Sequence, residues 1–124
     1  MPDAAVHRVL VCRVGTTRFA LRLDHVREVC AEVRVIPMPA VAAAIAGVAN
    51  VRGSVVTVVD GAALLGGQGG PAMSWLVVLT LRGGGIGIAV EDVEDLAAAG
   101  PGTPAPPALD LETLLGPIFA AEAA

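Results

Sequence analysis

The sequence predicts a mainly β fold, built as two small barrels or strongly bent sheets packed on each other. The chain has 124 residues, enough for a single domain. Hydrophobic residues make up 55% and aromatics only 2%, so the core must be assembled from Val, Leu, Ile and Ala. Such small, often branched units suit many short strands better than large helices. The third observation is a hairpin pattern that occurs twice.

The first hairpin is "VLVCRV–GTTR–FALRL", residues 9–23, two apolar strands around a Gly-containing turn. Asp24 follows, then a short amphipathic tail in which Val26 and Val29 lie one helical turn apart, facing an apolar neighbour, while Arg27 and Glu28 face elsewhere. The stretch "VIPMPAVAAAIAGVA" carries two prolines and is shorter than the roughly 18 apolar residues a membrane span needs. "NVRG", residues 50–53, is a turn opening onto the strand "SVVTVV". Asp60 then stands as an N-cap before a short apolar helical turn. After the loop "LLGGQGGP" comes the second hairpin, "WLVVLTL–RGGG–IGIAV", residues 75–90.

The two hairpins and their tails align without a gap, residues 9–30 on 76–97, a shift of 67 positions. Val26 falls on Val93, Glu28 on Asp95 and Val29 on Leu96. A second echo places "VVDGAALLG" (58–66) on "ALDLETLLG" (108–116), a shift of 50 that carries Asp60 onto Asp110. The shifts differ by 17, so the second copy lacks about that many residues between hairpin and closing helix. In place of the turn and strand it has "AAGPGTPAPP", which cannot form a central strand. One domain over residues 1–124 is expected, with unit one at about 6–66 and a shortened unit two at about 74–116.

Composition narrows the function. The net charge is −4, with eight Arg and no Lys, and neither a basic patch nor stacking aromatics speak for nucleic acid. The opening "MPDAAVHR" carries no basic, apolar signal pattern, which predicts a cytoplasmic protein without membrane insertion. Cys12 and Cys30 read as buried free thiols, and His7 and His25 have no companion at metal-ligand spacing. Neither glycine-rich stretch ends in GK[ST] or leads into a helix, so neither cradles phosphate. Ser54 and Ser74 lie in no nucleophile motif, and no catalytic set, cofactor or metal is expected. Glu28 and Arg52 remain. Either the carboxylate accepts the guanidinium fork bidentately, or the two are solvated charges of no consequence.

"FALRLDHVREV", "IPMPA", "IAGVANVRGSVVTVVDGAALLG" and "GIAVEDVEDL", in that order and spacing, resemble the CheW family, the adaptors that couple bacterial chemoreceptors to the histidine kinase CheA. The likeness covers about residues 6–98 and the final "LDLETLLG". It implies two SH3-like β-barrels, the second incomplete here, and a non-catalytic chemosensory adaptor that binds the cytoplasmic tip of a chemoreceptor. By the same resemblance Arg52 and Glu28 lie at the receptor surface, Asn50 and Gly53 shape the turn, and Gly47, Val26, Val93 and Leu96 line or support the groove. The family normally carries a further strand pair before the closing "LD"; its absence puts CheA coupling in doubt and predicts weak kinase binding. In this shortening the chain is similar to the second adaptor of the myxobacterial Frz system. Other CheW-like adaptors are further expected partners. Two alternatives stand beside this reading: a complete scaffold joining receptor and kinase, and a small-molecule-binding β-barrel or minor enzyme using Asp60, Asp110 and the glycine-rich loops.

Overall fold

The computed structural model describes residues 6–39, 42–67 and 74–123. Both expected hairpins are present. β1 (His7–Val14) pairs antiparallel with β2 (Thr17–Arg22). After a 3-10 turn at Leu23–His25 comes β3 (Val26–Ala31), then β4 (Ile45–Val51) and β5 (Ser54–Asp60). A single helical turn, α1 (Gly61–Leu64), leads on toward β6 (Trp75–Leu79), β7 (Ile86–Val90), β8 (Asp92–Ala99) and the closing helix α2 (Leu111–Ala123). The fold is mainly β, in two sheets ordered β2-β1-β8 and β3-β6-β7-β5-β4.

The segments after each hairpin are strands, not the helical tails the sequence predicts. "VREV" fits both periods: Val26 and Val29 at helical spacing, or Val26, Glu28 and Cys30 in alternation. Pairing of β3 with β6, and of β8 with β1, makes both segments strands, and a register shift between Val26 and Glu28 sets Val26 and Val29 opposite Leu79 and Val77 of one cluster while Glu28 and Cys30 face Val78 and Leu76. The third strand of each repeat therefore pairs with the first strand of the other, so the two units exchange strands.

The register bears out both sequence shifts. Val58 pairs in parallel with Gly87, and Ala108 makes a parallel bridge to Ala20, the positions onto which shifts of 50 and 67 carry that pair. The Leu109 amide donates to the Ala20 carbonyl at 2.9 Å. A bridge of one residue thus stands on β2 where a full hairpin stands on β7. Pro106 and Pro107 directly precede it and offer no backbone donor for further pairing.

Three apolar clusters follow from this layout. The seam between the sheets buries Leu10, Cys12 and Leu21 against Val77, Leu79 and Ile88, closed by Leu111 and Leu115 of α2. The interior of the five-stranded sheet holds Val56, Val58, Leu76 and Val78. Its counterpart on the three-stranded sheet is only Val9, Val11, Ala20 and Ala99, capped by Ala97, Ala105 and Ala108. Small side chains of the Pro/Gly tail seal the place of the missing hairpin.

Val26 and Val29, and the aligned Val93 and Leu96, bury to different extents. Val26 and Val93 are half-buried against the seam cluster, whereas Val29 is 36% and Leu96 50% exposed. Both lie on edge strands, where no further strand covers their outer side.

Candidate functional site

Arg52 and Gly53 form the two-residue connection between β4 and β5, flanked by the register pair Val51 and Ser54. Both have positive φ, 52° and 85° respectively, the geometry of a turn that follows strand twist. The Asn50 Oδ1 accepts a hydrogen bond from the Gly53 amide at 2.8 Å and fixes the turn. The Arg52 side chain is thereby thrown outward, 82% exposed.

Its partner lies on the opposite edge of the same sheet. Arg52 Nε donates to Glu28 Oε1 on β3 at 3.0 Å, although β3 and β4 are the two outer strands of five. The sheet curls until its edges meet. The chain leaving β3 completes the approach: Ile36 and Val48 exchange backbone bonds of 2.7 and 2.9 Å. Gly47 permits that crossing, because a Cβ there would fall onto the Ile36 carbonyl oxygen. Its role is to let two backbones touch.

The pair is joined by one hydrogen bond through Nε, not by the two-pronged fork. Glu28 Oε1 also accepts from the Cys30 thiol at 3.5 Å, and Arg27 Nε stands 3.7 Å from Oε2. The Arg52 hydrogen bond holds the Glu28 carboxyl below its usual range, helped by Cys30 and by the charges of Arg52 and Arg27, against the cost of desolvation. The same bond raises the Arg52 pKa, and burial followed by Glu28 raises that of Cys30. The sign for Glu28 is therefore that of a depressed acid. The pair contributes fully above the ordinary carboxylate pKa and is lost as pH falls through the lowered one. An NMR titration of the Glu28 carboxyl should show a midpoint below that of a free glutamate, returning upward in Arg52→Ala. An unchanged midpoint in that variant would dissolve the pair.

The structure brings together Glu28, Asn50, Arg52 and Gly53. Gly47 supports them from within β4, Val26 and Val93 sit on the seam cluster, and Leu96 is an exposed side chain on β8. A charge network escaped the sequence reading: Arg13 meets Glu91 at 3.0 Å, and Arg18 meets Glu94 at 2.8 Å, tying β8 to the first hairpin. Four acids in "EDVED" opposite two strand arginines were its signal.

Asp60 and Asp110 act as helix caps. Asp60 accepts from the Ala62 and Ala63 amides, and Asp110 from the Thr113 amide and hydroxyl. An open cleft of about 380 Å³ reaches Asp110, but its walls are chiefly Ala99, Pro107, Leu109 and Leu111 beside His7, Arg22 and His25. Among the described residues there is no group of three or more potential metal ligands.

Residues 8–116 match the family model of the CheW-like domain. The chain belongs to the CheW-like family. A crystal structure of the scaffolding protein TtCheW from Thermoanaerobacter tengcongensis shares the fold, with a TM-score of 0.68 at 21% identity, covering 78% of this chain and 68% of that one. No curated protein matches the sequence. CheW-like proteins are chemotaxis scaffolds, and among the described residues no helix is long and apolar enough to cross a membrane.

Proposed function

We propose that this CheW-like chain is a cytoplasmic, non-catalytic adaptor that binds the cytoplasmic signalling tip of a chemoreceptor and couples weakly, or not at all, to a CheA-type kinase. The observation that carries the reading is the presentation of Arg52. Glu28 engages Nε alone, so the guanidinium is held in place while both terminal NH₂ groups remain for a partner's carboxylate or carbonyl. Val29 on β3 and Leu96 on β8 are exposed, each with a half-buried valine on its own strand (Val26 and Val93), and apolar side chains of this kind are what an amphipathic helical partner needs. Asn50 and Gly53 set the turn, and Gly47 keeps the barrel edge closed beneath it. The absent hairpin on β2 supports the weak kinase contact.

The test measures binding to a receptor signalling fragment and to the CheA regulatory domain in parallel. Arg52→Ala should weaken receptor binding roughly tenfold, the loss of about 1.4 kcal/mol expected for a contact arginine. Its melting temperature should hardly move, because the side chain is exposed. Arg52→Lys should rescue poorly, since an ammonium cannot bridge Glu28 and a partner in one plane. Unchanged receptor affinity in Arg52→Ala would remove Arg52 from the interface.

A further inference from the structure

Helix α2 has two halves of different character. In the first, Leu111 and Leu115 are at most 1% exposed within the seam cluster. In the second, Ile118 and Phe119 are only partly buried against it. Between them stand Gly116 and Pro117, both inside the helix. Pro117 has no N–H to donate to the carbonyl four residues earlier and its ring crowds that carbonyl, while glycine is a poor helix former. The helical ladder is weakest where the anchored half meets the loose one.

Among the described residues, the loose half makes one contact of another kind. The Arg82 guanidinium lies 5.6 Å from the centre of the Phe119 ring. Arg82 belongs to the connection between β6 and β7 and adopts the left-handed conformation, φ 51° and ψ 41°, which residues other than glycine rarely populate. Three glycines follow it. Among the described residues it makes no ion pair and no side-chain hydrogen bond, so the ring is its partner. A Cβ added to Gly116 would lie 3.9 Å from Arg82 NH2, so the same side chain also overlies the weak point.

We infer that α2 is a hinged cover: residues 111–115 are its fixed leaf, Gly116–Pro117 its hinge, and the Arg82–Phe119 cation–π contact its catch. Opening lifts Ile118 and Phe119 off the seam cluster and bares apolar surface between the two sheets. The closed form is favoured by a contact that is individually weak, so the cover opens locally without unfolding the sheets.

Amide hydrogen exchange on the full chain tests this. Arg82→Gly removes the catch and suits the left-handed backbone, which preserves the fold. Phe119→Leu removes the ring face and keeps apolar bulk, and it carries the test if Arg82→Gly is destabilised. In either variant, amides after Pro117 should exchange about two- to fivefold faster, the scale of an exposed cation–π contact. Those of residues 111–115 should stay unchanged. Adding Pro117→Ala to Arg82→Gly should slow the far amides again by restoring the ladder. Equal acceleration along the whole helix would show that it opens as one piece, and unchanged exchange would show that there is no catch. Either result overturns the inference.

Discussion

Gly47→Ala should destabilise the protein by roughly 3 kcal/mol, the combined scale of a strained backbone and an overpacked contact. Gly47 has φ 154° and lies at the register shift between β4 and β5, where the chain from β3 crosses β4. An added methyl group would meet the Ile36 carbonyl and the Pro37 Cα, backbone atoms that cannot swing aside as a side-chain end does. Relief requires moving the crossing segment, which breaks the two hydrogen bonds between Ile36 and Val48 and opens the curled sheet. Arg52 and Glu28 hold the same two edges together, so their hydrogen bond should loosen as well. Thermal melts and the Glu28 carboxyl shift should change together. Gly53→Ala makes the control: it also has positive φ, but a Cβ there meets nothing within 4 Å, so only the backbone cost applies. A melt of Gly47→Ala equal to that of Gly53→Ala would mean that the crossing yields freely.

The sequence made some of this legible and hid the rest for physical reasons. Both hairpins were readable because alternation, a short turn and a second alternation form a local signal, and β1–β2 and β6–β7 fall where it places them. Arg52 was readable because it stands alone among Val, Ala, Asn and Gly, and Glu28 because the likeness to the family's V-x-E-V pattern pointed to it. The single Nε bond between them was not, since that depends on how far the sheet curls. β4 carried little signal: "IAGVANV" is rich in Ala and Gly, and its strand form rests on pairing with β5. β3 and β8 were read with the wrong period because their partners are strands of the other repeat, 44 to 92 positions away, and no local pattern announces such an exchange. The helix beyond Gly116 was not read because the echo of residues 58–66 ends there, yet Ile118 and Phe119 continue the apolar stripe of Leu111 and Leu115 onto the seam.

The largest functional effect is expected at the missing hairpin. On the five-stranded sheet, β5 lies parallel to β7 and β4 covers it from outside, giving a broad strand surface. At the equivalent edge, β2 meets only Ala108, behind two prolines, and the cluster beneath is capped by alanines. A partner that packs on the outer hairpin of that unit therefore finds a single bridge at Ala20 where a strand pair would stand. The unmodified chain should bind a receptor fragment measurably and a CheA regulatory domain weakly or not at all. Inserting the corresponding strand pair of a full-length CheW between Ala99 and Leu109 should restore kinase association, and it leaves Asp110 in place to cap α2. A cooperative melt and unchanged receptor affinity would show that the graft has folded. A folded graft that gains no kinase affinity would place the kinase contact elsewhere. Kinase binding by the unmodified chain as strong as its receptor binding would show that the shortened unit is no obstacle, and the protein would be a complete coupling scaffold despite its missing strands.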